Sequence, residues 1–475
     1  MENPDLRITA RPDIPCNNPG PMPATTNAHA AAPPRRHRPV RLLALTVTVV
    51  ALVAACGSAG PSATPSTSTA PIPSAPPSTA PSAAPSQGVS GSIGPGASQD
   101  LATVYRQIED QVIAIRQLQP KRPIEPTVLD GPGLQKLVSD GFDKDNPPEL
   151  IAANQEIYQA LGMLPKTANL KDLYVGMLGS QVAGLYNPDD KKLYVVSRSG
   201  KIGVLEKSTF SHEFTHALQD QNFDLGSLKL DEIGEGDRSF ARLSLVEGDA
   251  TLSMTDWQLQ NLGPADFTEL LRESQSDPSA GQLATLPAIL RQSLLFPYIQ
   301  GLAFVQGLQM SGGWGKVDDA FGHPPASTEQ ILHPEKYKSG ELPVAVSLPS
   351  DLASRLGAGW SVPLVDTFGE FQLGVWLEQS AGIDKTAADA AAAGWGGDRV
   401  AAIRGPNNAW AVVLKTAWDT AKDASEFEAA AKPLVDALAD PAQLLPGAGG
   451  TERWVLVGSD DATLNRVAST LGLAG

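Results

Sequence analysis

Cysteine is almost missing from this chain: 475 residues hold two, Cys16 and Cys56. If the N-terminus is removed on export, one thiol remains and no disulfide can form within the chain. Basic clusters are missing beyond residue 41, and the formal net charge is -16. The electrostatic footprint of a nucleic-acid binder is therefore lacking. Uninterrupted apolar runs are scarce too. The run LLALTVTVVALVAA, residues 42–55, has 14 residues, short of the about 20 that a membrane-spanning helix needs. Histidine is scarce as well, with six in the whole chain.

What is present begins with an export signal. Arg35, Arg36, Arg38 and Arg41 precede the apolar run, and the run ends in Val53-Ala54-Ala55-Cys56. A positive start and a short apolar core mark a secretory leader. The closing tetrapeptide resembles a bacterial lipobox, which implies cleavage before Cys56, lipidation of its thiol and tethering to the outer face of the cytoplasmic membrane in a bacterial cell envelope. An ordinary signal or an uncleaved anchor is the plainer alternative. Loss of residues 1–55 removes six Lys/Arg and three Asp/Glu, so the charge moves from -16 by a further -3 to -19. Residues 56–99 are then nearly all Ser, Pro, Ala, Thr and Gly. They cannot bury enough apolar surface to offset ordering entropy, and are expected to be a disordered spacer.

From Asp100 the pattern becomes helical. Val104, Ile108, Val112 and Ile115 share one face, and further helices are expected over 134–142, 147–164 (with Asn146 as its cap) and 170–181. VAGLYNPDDKKLYVVS, residues 182–197, reads as a hairpin turning at Asn187-Pro188-Asp189-Asp190. Beyond about residue 341 a small α+β unit is expected: a hairpin within 399–418, a helix over 424–440, a strand over 451–459 and a closing helix over 461–472. The fold class is thus α+β, with a mainly helical domain over 100–340 and a C-terminal α+β region over 341–475.

The scarce histidine is concentrated in TFSHEFTHAL, residues 209–218. On a helix, His212 and His216 lie one turn apart on one face and can offer two imidazole nitrogens to a single ion. Glu213 points about 100° round the helix, beside that ion rather than onto it. The neighbours Thr209, Phe210, Ser211, Phe214, Thr215, Ala217 and Leu218 are uncharged, as a buried helix requires. A surface helix with an incidental histidine pair is the bland alternative. A third ligand is sought among Glu232, Glu235, Asp237, Glu247 and Asp249. Periodicity favours Glu247. Residues 239–260 read as a helix capped by Asp237, and Phe240, Leu243, Glu247, Ala250 and Met254 form one stripe in which Glu247 alone is charged. Gly248 would let this helix approach the histidine helix closely. The rival is an edge position for Glu247, paired with Arg238 or Arg242.

His212-Glu213-Phe214-Thr215-His216, followed 31 residues later by Glu247, resembles the HExxH-plus-glutamate zinc metallopeptidases, the gluzincin branch of the zincins. The run from about 108 to 250 also looks like a set of bacterial envelope proteins without assigned function. The zincin resemblance implies one Zn2+ per chain on His212, His216 and Glu247, a peptide or protein substrate, Glu213 as the base that activates water, and an edge strand in the 182–197 hairpin that aligns substrate. Many gluzincins carry Asp four residues after the ligand Glu to orient a histidine. Here Thr251 stands there, which leaves Asp249 or Asp220 for that task. Such zincins also use a His or Tyr to stabilise the oxyanion, and His333 or Tyr337 could serve, ahead of His323. A fold of this kind that binds without cleaving is the alternative function.

Overall fold

In the computed structural model the described residues are 95–181, 184–196, 202–276 and 278–473. The expected signal peptide 1–55, Cys56 and linker residues 57–94 lie outside them, as do hairpin residues 182, 183 and 197. Residues 95–99, expected to belong to the spacer, are the first turn and a half of a helix.

The fold is α+β. It runs α1 (Pro95–Arg116), β1 (Pro126–Leu129), α2 (Gly131–Asp145), α3 (Pro148–Ala160), α4 (Leu170–Gln181), β2 (Gly184–Asn187), β3 (Lys192–Val196), α5 (Val204–Phe223), α6 (Gly236–Asn261), α7 (Pro264–Ser276), α8 (Pro278–Thr285), α9 (Ala288–Gly312), α10 (Trp314–Gly322), α11 (Thr328–Leu332) and α12 (Pro334–Ser339). The C-terminal part continues with α13 (Leu352–Leu356), β4 (Ser361–Asp366), α14 (Gly369–Leu377), α15 (Lys385–Ala392), β5 (Trp395–Arg404), β6 (Trp410–Trp418), α16 (Ala421–Asp436), β7 (Ala442–Pro446), β8 (Glu452–Gly458) and α17 (Asp461–Thr470).

Helix α5 is the centre of the N-terminal part. Residues Ser208 to Asp220 are all buried, so the helix has no solvent face and no marked amphipathicity. One side, Phe210, Phe214, Ala217 and Leu218, packs into a cluster with Tyr105, Ile108 and Val112 of α1 and with Tyr186, Leu193 and Val195 of the sheet. The other side is polar. Its small hydroxyls return their protons locally: Ser211 Oγ donates to Ser208 O at 2.7 Å and Thr215 Oγ1 to Ser211 O at 2.9 Å. Two expected caps are corrected. Asn146 closes α2, its Nδ2 donating to Phe142 O, and Pro147 precedes α3. Asp237 lies inside the first turn of α6 and accepts from Thr328, while Glu235 occupies the cap.

The hairpin belongs to a three-stranded sheet in the order β1-β3-β2, with β1 parallel and β2 antiparallel to β3. Strand β2 is therefore an edge, and it lies against α5. The C-terminal sheet is antiparallel, in the order β4-β5-β6-β8-β7. Alternation along its strands feeds two cores: Val400, Val412, Leu414 and Val455 join the main core, while Ile403, Val413 and Leu456 pack with Leu352 and Leu464. The main core also contains Ile157, Leu245, Phe304 and Trp376, so residues on both sides of the expected boundary at 340/341 share it. Trp376 Nε1 donates to Leu161 O across that boundary at 2.9 Å. Helix α9 is long and apolar enough to cross a membrane by length and composition alone. Here it buries Phe296, Phe304, Val305 and Leu308 in the core.

Candidate metal centre

Helices α5 and α6 bring three donor atoms to one point. His212 Nε2 and His216 Nε2 are 3.0 Å apart, and Glu247 Oε2 lies 3.2 Å from the first and 3.3 Å from the second. A tetrahedral ion with bonds near 2.0 Å would space its ligands by about 3.3 Å. The triangle already has that edge. The donor set, two imidazoles and one carboxylate, fits zinc, and these three residues form a group that could hold a metal ion. All three are at most 2% exposed. The rival pairing of Glu247 is overturned: Arg238 pairs with Glu232 and Glu235, and Arg242 donates to Leu228 O.

Electrostatics at the triangle call for a cation. Burial disfavours the Glu247 anion, yet positive charge on His216 and hydrogen bonds from both imidazoles hold its carboxyl down at about 2. Burial likewise disfavours the imidazolium of His216, but Glu247 beside it carries that group up to about 9. Without a metal, a proton on His216 supplies the positive charge that Glu247 requires.

Glu213 is wholly buried; one of its oxygens faces the sheet, and its charge also bears on His216 of the triangle. Its Oε2 accepts the backbone N–H of Tyr186, on edge strand β2, at 2.8 Å. Asp220, about two turns further along α5, accepts from Tyr186 Oη at 2.7 Å and from Lys191 Nζ at 2.8 Å. The hairpin is thus pinned to α5 at two points, one between the histidines and one a turn beyond them. Asp220 makes no bond to either of them.

Support for the histidines is unequal. His216 Nδ1 lies 2.8 Å from Gln219 Oε1. Gln219 Nε2 donates to Val246 O at 2.9 Å and to Asp249 Oδ2 at 2.8 Å, and Asp249 Oδ1 accepts from Arg116 Nε at 2.6 Å. Arg116 also reaches Asp318 at 2.7 Å and lies over the Trp314 ring. His212 Nδ1, by contrast, is buried with no hydrogen-bond partner, and so is the hydroxyl of Thr251. Asp249 therefore supports His216 through Gln219, and among the described residues no carboxylate meets Nδ1 of His212.

The expected oxyanion donors are placed elsewhere. His333 Nε2 is 2.8 Å from Glu370 Oε1, and the pair lines a cavity of about 520 Å³ with Phe296, Ile299 and Phe371. Tyr337 Oη donates to His323 O at 2.8 Å, and His323 Nδ1 sits near Asp319 O. Neither His333 nor Tyr337 bonds to the triangle. The aromatic group beside it is Tyr298 of α9, whose ring centre lies 6.1 Å from that of His212. Gln219, three residues after His216, was within reach of a spacing argument. Tyr186, Tyr298 and Arg116 had no comparable local signal. Glu232 and Glu235 are occupied by Arg238, and Asp237 by Thr328.

Gly248 has a different neighbour from the one expected. A Cβ there would lie 2.2 Å from Gly301 O, on α9. The glycine admits α9, not α5, to the back of α6 beside Glu247.

Among known families, a profile described as a domain of unknown function (DUF8575) matches residues 360–470, which spans all five strands of the C-terminal sheet and the helices α14 to α17. No curated protein and no solved structure matches the chain.

Proposed function

We propose that this chain is a zinc-dependent peptidase of the gluzincin kind, exported and held by lipid on Cys56 at the outer face of a bacterial cytoplasmic membrane. The observation that carries the catalytic part is the triangle of His212, His216 and Glu247, with edges of 3.0, 3.2 and 3.3 Å. Those three side chains would hold the ion. Bound zinc supplies Lewis acidity, which polarises a peptide carbonyl and eases loss of a proton from water. Glu213, adjacent to His212 on α5, takes that proton and returns it to the leaving amine. The Tyr186 N–H fixes one oxygen of Glu213 meanwhile. Strand β2, an edge of its sheet beside α5, would align an extended substrate past Glu213, which requires the buried strand and its Tyr186 N–H, here given to Glu213, to be uncovered first. Tyr298, whose ring lies beside that of His212, would meet negative charge developing on the carbonyl oxygen.

One observation favours a second reading. His212, Glu213, His216 and Glu247 are all 2% exposed or less, which suits a zinc-stabilised binding or scaffold protein that cleaves nothing. Cleavage of a broad peptide library by zinc-loaded protein, with the Glu213→Gln form alongside, separates the two. The peptidase reading expects turnover that falls about 10²–10⁴-fold in the variant while zinc is retained. A wild type that holds zinc and cleaves no peptide establishes the scaffold reading instead.

A further inference from the structure

We infer that the Arg116–Asp249 ion pair sets the metal affinity of the site, by fixing through Gln219 which nitrogen of His216 carries a proton. This rests on the metal-centre reading but not on peptide cleavage.

The reasoning concerns which groups can donate. Val246 O and the Asp249 carboxylate only accept hydrogen bonds. Both are met by Gln219, at 2.9 and 2.8 Å. The amide nitrogen of Gln219 must therefore face them, with both its protons used. Its oxygen then faces His216 Nδ1, 2.8 Å away. An oxygen accepts, so Nδ1 carries the proton and donates. That makes Nε2 the nitrogen that gives up its proton to the ion, its lone pair then directed at the triangle. An inverted amide would present N–H to Nδ1, favour the other tautomer and put a proton where the metal must bind.

Val246 O opposes inversion whatever stands at 249; the side-chain part of the barrier is the charge state and identity of residue 249. Arg116 Nε donates to Asp249 Oδ1 at 2.6 Å, and both side chains are fully inaccessible to solvent. A buried carboxylate without its cation is costly. Arg116 is the last residue of α1, and 133 residues separate it from Asp249. The seating of α1 and the loading of the metal are therefore linked. By thermodynamic reciprocity, metal must stabilise the docked α1 as much as docked α1 favours metal. Arg116, Asp249 and Gln219 are positioning residues, since none touches the triangle except through His216.

The test uses the full-length chain and zinc itself, at one neutral pH. Zinc affinity is read by competition with a chromophoric chelator for wild type, Asp249→Asn, Arg116→Gln and Asp318→Asn. Asparagine keeps the shape of residue 249 but can offer N–H to Gln219, which removes the side-chain part of the barrier to inversion and leaves only Val246 O against it. Asp249→Asn and Arg116→Gln are expected to bind zinc about 10–100-fold more weakly. Asp318→Asn removes the other, part-exposed partner of Arg116, and is expected to stay within about threefold of wild type. A second arm does not depend on those variants folding. Amide exchange in α1 is followed with zinc and with chelator. Zinc is expected to slow it in wild type but not in Gln219→Leu, where the relay is cut between Asp249 and His216. Wild-type affinity in a folded Asp249→Asn protein, or α1 exchange indifferent to zinc in wild type, overturns the inference. Failure of wild type to bind zinc at all overturns it together with the metal reading, and so is told apart from failure of the relay alone.

Discussion

Gly248 of α6 and Gly301 of α9 bring two helix backbones into direct contact. A Cβ on Gly248 would sit 2.2 Å from Gly301 O, and one on Gly301 would sit 2.2 Å from Ser244 O. No side chain intervenes, so neither helix can yield without moving its axis. Glu247 precedes one glycine and Tyr298 lies three residues before the other, so the contact also sets the depth of a ligand. Gly248→Ala is expected to destabilise the chain by about 1–3 kcal/mol through overpacking and to weaken zinc binding through displacement of Glu247. Urea denaturation with and without zinc measures both. A loss within the scatter of an ordinary surface substitution, with unchanged affinity, would show that the helices part freely.

Zinc affinity should depend on pH in a defined direction. His216 is held up to about 9 by Glu247 against the opposing effect of burial, and Glu247 is held down to about 2. Below about 9 the metal must displace a proton from His216, so affinity rises with pH and levels off above that value. The metal-free protein behaves oppositely. The pairing of His216⁺ with Glu247 stabilises its fold fully below the unfolded imidazole value of about 6.5 and is lost as pH rises through about 9. Calorimetric titration at several pH values, in buffers of different ionisation enthalpy, counts the proton released. An affinity flat from pH 6 to 9 would contradict the pairing.

The common core across residue 340/341 makes a mechanical claim. Trp376 is fully buried and donates to Leu161 O from the C-terminal side. Trp376→Ala is expected to cost about 3–5 kcal/mol, and thermal melting should remain one transition in which zinc is released. Two separated transitions, with zinc held through the first, would mean that the two parts fold independently.

The lipid anchor is open to a simple check. Cells expressing the full chain should place it in the membrane fraction, and Cys56→Ala should release it or leave the leader uncut. A variant that fractionates and is processed like wild type would remove lipidation from the proposal.

Much of the site could be read in the sequence because its signals are local. The spacing of His212 and His216 is a helical turn, and Glu247 stood out as a charge in an apolar stripe. What failed was long-range. Helical periodicity says that Gly248 faces something close; it does not say that the neighbour is α9. His333 and Tyr337 were sought near the metal because histidine is scarce, yet His333 is held by Glu370 and Tyr337 by the carbonyl of His323. Arg116 follows directly after the apolar stripe that ends at Ile115 and carries no local sign of its partner; only tertiary structure brings it to Asp249. Three strands were also overlooked: β1, β4 and β7 are each an edge and each contain a proline, Pro126, Pro363 and Pro446. Proline is tolerated at edges because no partner needs its missing N–H, and it hides such strands from a pattern search.

The most direct measurement is the zinc content and dissociation constant of the purified chain beside its Glu247→Gln form. Wild type is expected to hold one zinc per chain, with the variant at least about 100-fold weaker because a neutral amide replaces the ligand carboxylate. A wild type that takes up no zinc, or a variant that binds it equally well, would contradict the metal centre and everything proposed from it.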